Sequence, residues 1–179
     1  MTYRLTAKFY DLFGSKNDLA RALFYKELAL QSGGKALELG VGTARVAIPL
    51  ARAGVTVVGI DNSVQMLRVA RGKLPKESAA VRKRVILKRG DMRNFELKQP
   101  FSLIYIPAST VDLEQVPPGK PEASWWIDRK EIEGGKMVVQ SVFTRRGMTK
   151  NRCSLDLFFD VYKNGKLLER YHEYGERAR

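Results

Sequence analysis

Three observations place this 179-residue chain in the α/β class, with a doubly wound, mostly parallel sheet, helices on both faces and a C-terminal antiparallel β-hairpin. Short apolar runs alternate with amphipathic segments from about residue 15 to residue 106, the order that builds parallel strands with crossover helices. Each run ends on a glycine, an acid or a proline: Gly40, Asp61, Asp91 and Pro107. Ligands of such sheets sit beyond the carboxyl ends of the strands, so these endings converge on one edge. Finally, Ser154–Tyr162 and Lys166–Tyr174 alternate apolar and polar residues around Asn164-Gly165, the dipeptide that suits a two-residue hairpin turn.

The elements follow in order. Ser15 or Asp18 caps a helix running to about Leu30, with Leu19, Leu23 and Leu28 near one face, and Ser32-Gly-Gly34 ends it. Lys35–Leu39 is a short buried strand and Gly40–Thr43 its turn. Ala44–Ala53 is a helix stopped by Gly54, with Pro49 expected to bend or weaken it. Val55–Ile60 is an apolar, β-branched run, as in a strand covered on both faces. Ser63 caps the next helix, which carries Val64, Met66, Leu67 and Ala70 and ends before Pro75. Arg84–Lys88 and Phe101–Ile106 are the third and fourth strands. Residues 111–124 read as loop, Trp125–Ile132 as a short helix and Gly134–Phe143 as a fifth strand. The expected organisation is one domain over 1–179, with an α/β core at 1–145 and a hairpin extension at 150–176.

Bulk properties narrow the function. A formal net charge of +13 favours anionic contacts, among them RNA, although a solvated basic surface explains it equally simply. Cys153 is the single cysteine, which precludes an internal disulfide; it is read as a packed strand residue. Met1–Tyr10 lacks the apolar stretch of a signal peptide, and no apolar run approaches the ~20 residues of a membrane span. A cytoplasmic protein without a membrane partner is expected. Histidine and cysteine do not cluster, so no metal site is expected. His172, the only histidine, and Trp125-Trp126 are read as packed or interface residues.

The glycine turn is the chemical signal. Lys35-Ala-Leu-Glu-Leu-Gly-Val-Gly-Thr-Ala-Arg45 is followed by Val55-Thr-Val-Val-Gly-Ile-Asp61, which puts an acid 19 residues after Gly42. A turn of this kind lets backbone approach a nucleoside while the acid accepts ribose hydroxyls. The third glycine of a dinucleotide fingerprint would fall at Arg45, which disfavours a nicotinamide-dependent reductase. Glu38, two residues before Gly40, suits a cationic ligand such as a sulfonium amino acid.

With Glu38-Leu-Gly-Val-Gly-Thr-Ala-Arg45, Gly59-Ile-Asp-Asn-Ser63, Gly90-Asp-Met-Arg93 and Ala7-Lys-Phe-Tyr-Asp11, the chain resembles class I S-adenosylmethionine-dependent methyltransferases over roughly residues 5–106. The resemblance implies a Rossmann-like fold and S-adenosyl-L-methionine as cofactor. It gives Gly40 and Gly42 the cofactor turn, Glu38 the methionine amino group and Asp61 the ribose. Asn62 would line the adenine, Asp91 would accept from its exocyclic amine and Met92 would pack on the ring. Tyr10 would belong to a lid. Pro107 and Ser109, in Ile106-Pro-Ala-Ser109, would face the methyl acceptor; this tip lacks the acidic-or-Asn, Pro, Pro, aromatic pattern of enzymes that methylate base amines. No catalytic base is identified.

A small-molecule acceptor is therefore expected. An RNA-directed methyltransferase using the basic surface and a cofactor-binding protein without turnover are the alternatives. Relatives are expected to carry a further helix and two closing strands after such a hairpin, whereas this chain ends at Arg179. Either the hairpin replaces those strands, or an open sheet edge remains through which two copies could pair, as they could through the hairpin.

Overall fold

The computed structural model describes residues 3, 5–14, 17–107, 123–146 and 152–178. It forms two compact units, one of residues 14–115 and one of residues 1–13 with 116–179.

The first unit is the α/β sheet. Its elements are α1 (Asn17–Ser32), β1 (Lys35–Leu39), α2 (Ala47–Arg52), β2 (Thr56–Asp61), α3 (Val64–Lys73), α4 (Ala79–Arg84), β3 (Val85–Arg89) and β4 (Leu103–Tyr105). All pairings are parallel, in the order β3-β2-β1-β4. Alternation sorts the side chains. Ala36, Val57, Val85 and Leu103 join Ala29, Leu50, Leu67, Ala70 and Val81, one or more from each helix, in a single cluster. Leu37, Val58 and Ile60 point the other way and are buried with Leu97 and Phe101. Helices were expected on both faces; all four described helices contribute to the first cluster.

Helix α2 is shorter than expected, because Ala44 has φ +62° and so cannot be a right-handed helical residue. The helix starts at Ala47, which makes Pro49 its third residue. A proline there lacks an N–H that the first turn leaves without a helical acceptor in any case, so the expected bend has no cause. Helix α3 begins as read, with Ser63 Oγ accepting from the Met66 N–H at 3.3 Å. Helix α4 was not foreseen. Its signal is Ser78, whose Oγ accepts from the Val81 N–H at 3.3 Å and caps it.

The second unit is an antiparallel meander of β5 (Ala123–Ile132), β6 (Lys136–Arg146), β7 (Arg152–Lys163) and β8 (Lys166–Ala178), in that order. Two expectations are corrected here. Trp125–Ile132 is strand rather than helix, and it pairs with β6 from Ala123↔Arg145 to Ile132↔Lys136. Its aromatic and β-branched residues favour that state, and Gly134 and Gly135, both at positive φ, close the hairpin. The fifth strand, β6, also leaves the parallel sheet and pairs with β5 and β7.

The β7–β8 hairpin turns as expected at Asn164 (φ +50°) and Gly165 (φ +75°). It extends the antiparallel sheet, so it does not replace closing strands of the parallel one, whose outer strands are β3 and β4. One face packs Val138, Leu157, Phe159 and Val161 against Phe9, whose ring stacks on Phe159 at 4.9 Å. The Thr6 N–H and hydroxyl both donate to the buried Glu173 carboxylate, tying the N-terminal segment to β8. On the opposite face His172 lies 2.7 Å from Asp156 and stacks on Phe158 at 4.2 Å.

Candidate functional site

The carboxyl ends of β1, β2, β3 and β4 are held together by identifiable bonds. Past β1 the chain turns sharply: the Gly40 and Val41 N–H groups both donate to the Ile60 carbonyl, at 2.8 and 2.9 Å. Gly40 (φ +72°) and Gly42 (φ +54°) occupy the left-handed region that glycine enters without a Cβ penalty. The Gly42 N–H then points at Asp61 Oδ2, 2.8 Å away, while Asp61 Oδ1 accepts from the Ser63 N–H at 2.8 Å. One carboxylate thus joins the turn after β1 to the start of α3. Lys73 Nζ braces the same turn by donating to the Thr43 carbonyl at 2.8 Å. The Gly90 N–H donates to the Asp61 carbonyl at 3.0 Å and adds the tip of β3.

Packing at Gly59 sets the depth of the turn. A Cβ built there would lie 2.5–3.0 Å from three atoms of the Val41 side chain. Glycine in the middle of β2 therefore admits Val41, and with it the whole Gly40–Gly42 turn, against the sheet.

Strand order reverses between β1 and β4, the topological switch point at which such sheets bind ligands. Glu38 and Tyr105 are register partners there, and the Tyr105 hydroxyl donates to Glu38 Oε2 at 2.8 Å. Tyr25 of α1 stacks on Tyr105 at 4.7 Å and donates to the Ile106 carbonyl at 3.2 Å. This chain of contacts holds Ile106-Pro107 beside the tip of β1. Sequence reading missed Tyr25, Tyr105 and Lys73. The signal at Tyr105 was a polar group ending an apolar strand, but its partner depends on a register that the sequence does not state.

Glu38 is 1% exposed, and its carboxyl also accepts from the Ala47 backbone. Burial pushes its pKa up to about 8, the nearby Asp61 charge adds to the rise, and the bonds from Tyr105 and Ala47 oppose it. Burial and the neighbouring Glu38 raise Tyr105 as well. Glu38, expected beside a ligand amino group, bonds through its carboxyl to Tyr105 of β4 and to the Ala47 backbone at the start of α2. Between the ordinary carboxylate pKa, about 4.5, and about 8, the folded chain keeps a proton that the unfolded chain has released. Stability should therefore be greatest at the acid end of this window and fall as pH rises through it, by an amount on the order of a few kcal/mol. Glu38→Gln, which keeps the neutral form, is expected to flatten the fall. Thermal melts at about pH 6 and about pH 9 check this, and equal falls for both proteins contradict it.

The remaining expected residues are placed as follows. Asp91 stands at the correct strand end, but its carboxylate is held by Arg93, through the backbone N–H at 2.9 Å, Nε at 3.0 Å and Nη2 at 2.5 Å. The Arg93 guanidinium pushes its pKa down to about 2. Met92 is half-buried in the turn closed by the Asp91↔Asn94 bridge. Asn62 is exposed and Pro107 half-buried. Ser109 lies outside the described residues. Tyr10 belongs to the second unit, where its ring meets Tyr3 at 5.5 Å. Arg45 lies just before α2 rather than within it. The turn departs from a pyrophosphate cradle in another way: α2 has six residues and begins after a left-handed Ala44.

The chain is similar to known proteins in sequence and fold. A model of the methyltransferase domain matches residues 36–122, from β1 past β4. That match spans 87 of the 179 residues, just under half of the chain. An uncharacterized methyltransferase of Bacillus mycoides is 35% identical over 79 residues, covering 44% of this chain and 34% of its own. The chain thus spans about a third of the length of the curated relatives it matches. DesVI of Streptomyces venezuelae superimposes with a TM-score of 0.69 at 21% identity, over 96% of this chain and 82% of its own. CalS10 of Micromonospora echinaspora, an amino pentose methyltransferase solved with S-adenosylmethionine bound, gives 0.65 at 17% identity, over 96% and 80%. Both superpositions show a shared fold. Among the described residues no helix is long and apolar enough to cross a membrane.

Proposed function

We propose that this chain binds S-adenosyl-L-methionine across the strand tips and transfers its methyl group to a small-molecule acceptor. The observation that carries the reading is the Asp61 carboxylate, which joins the glycine turn to α3 through two N–H bonds. Each of its oxygens has lone pairs left, so it can accept from the two ribose hydroxyls while holding the turn. A turn so fixed is ready for a ligand without rearrangement.

In this reading the Gly40–Gly42 backbone lies under the donor, and Asn62 and Met92 flank the adenine. Asp91 accepts from the adenine amine in exchange for part of its Arg93 contact. Glu38 holds the β4 tip to β1 through Tyr105, and Pro107 borders the acceptor, as the sequence also implies for Ser109. The donor supplies a methyl group on sulfonium that is already strongly electrophilic. The chain's own task is to align the acceptor with it and exclude water, and this requires no general base.

The Ile106-Pro-Ala-Ser109 tip, unlike that of base-amine methyltransferases, supports a small acceptor, and the shared fold with an amino pentose methyltransferase is compatible with one. The single cysteine supports a cytoplasmic location. Incubation with methyl-labelled donor and a cell extract tests the reading, which expects label in the small-molecule fraction. Label in RNA would make the enzyme RNA-directed. Tight donor binding with no transfer to any fraction would make it a cofactor-binding protein.

A further inference from the structure

Positive charge in the α/β unit is concentrated in one segment. Residues 64–98 hold eleven Lys and Arg against three Asp and Glu, while the rest of the unit holds six of each. Two of those three acids are already engaged, Glu77 by Arg52 and Asp91 by Arg93. Arg68, Arg71, Lys76, Lys83, Lys88 and Arg89 are all exposed, and none meets a carboxylate among the described residues.

Five of the six lie on α3, on α4, between these helices or at the end of β3, and Lys88, register partner of Ile60, turns to the other face of the same outer strand. Helices α3 and α4 both pack on β3, which is an outer strand of its sheet. Arg68 and Arg71, three residues apart, share a face of α3. Lys88 and Arg89 end β3, and Arg89 is the register partner of Asp61. A basic rim thus runs from the helices round the sheet edge to the strand tips. Charged residues often guard an outer strand against pairing, but that accounts for Lys88 and Arg89 alone, since the helix cations do not lie on the strand.

We propose that this rim binds single-stranded RNA through its phosphates. Net attraction for a polyanion follows from the excess of eight positive charges over 35 residues. Guanidinium groups, at three of the six positions, suit phosphate oxygens in particular. Phe95, 38% exposed, follows Arg93 on the loop after β3 and offers a face on which an unpaired base can stack. A lipid surface fits less well, because Met66, Leu67 and Ala70 turn the apolar side of α3 into the core and leave none for a bilayer. The proposal stands apart from the methyltransferase reading and does not require that RNA be the acceptor.

Fluorescence anisotropy on the full chain with a labelled oligouridine tests it. Log affinity is expected to fall linearly with log salt, with a slope of about −4 if six phosphates are engaged. R68E/R71E is expected to weaken binding at least tenfold and to reduce that slope. K163E/K166E, an equal charge change at the exposed tip of the β7–β8 hairpin, is expected to weaken it less than threefold. Melting temperatures confirm that both variants fold. Equal loss in the two variants would reduce the effect to net charge and overturn the proposal. So would unchanged binding by R68E/R71E, equal competition by duplex RNA, or binding to phosphatidylserine vesicles but not to RNA.

Discussion

Replacing Asp61 by Ala is expected to weaken binding of S-adenosylhomocysteine at least tenfold and to lower the melting temperature as well. The carboxylate serves two purposes. Its oxygens receive the Gly42 and Ser63 N–H groups at 2.8 Å each, and its remaining lone pairs can accept from ribose hydroxyls. A hydrogen bond to a charged group is worth ~1.5–3 kcal/mol, so losing even one bond to the nucleoside corresponds to tenfold or more. Losing the two internal bonds leaves two backbone donors without their acceptor and frees the turn. Asp61→Asn is expected to do little better, because its NH2 would meet one of the two N–H donors. Calorimetric titration measures the first effect and thermal unfolding the second. An unchanged affinity would remove Asp61 from the site, whatever happened to the stability.

Gly59→Ala is expected to cost stability although it adds only one methyl group. The new Cβ would lie 2.5 and 2.7 Å from Val41 Cγ2 and Cβ, too close for any contact, and Val41 is 3% exposed with no room to retreat. Overpacking of this kind costs typically ~1–3 kcal/mol. Because Val41 sits inside the Gly40–Gly42 turn, the strain should also reach the donor site and weaken binding. Val41→Ala in the same chain is expected to recover part of both losses. Gly72 is the control: nothing lies within 4 Å of its Cβ position in α3, so Gly72→Ala should hold or raise stability by about 0.5–1 kcal/mol. Melting temperatures decide between these outcomes. A Gly59→Ala protein as stable as its parent would contradict this account of how the turn is seated.

Those two residues also mark what the sequence made legible. The separation of Gly42 and Asp61 reflects a strand–turn–helix–strand unit whose lengths vary little, so the bond between them was within reach. Gly59 was visible as a glycine inside an apolar strand, a known sign of close approach, but Val41 as the approaching group required the turn's geometry. Glu38 was read as a ligand contact because it precedes the glycines. Only the β1–β4 register reveals that Tyr105 faces it and that it is buried. Asp91 was found by its place at a strand end, yet Arg93 holds it from two residues away. Trp125–Ile132 was misread because Asp128, Arg129, Lys130 and Glu131 interrupt the alternation that marks a strand, while the pairing that stabilises it comes from β6. Local spacing was readable; long-range partners were not.

The central claim is that the four strand ends of the parallel sheet form one site for an adenosyl-sulfonium nucleoside. Calorimetric titration of the unmodified protein with S-adenosylhomocysteine, in parallel with nicotinamide adenine dinucleotide, tests it most directly. Saturable binding of one S-adenosylhomocysteine per chain, with no heat from the dinucleotide, is the predicted result. No binding of S-adenosylhomocysteine, or dinucleotide binding of equal strength, would contradict it.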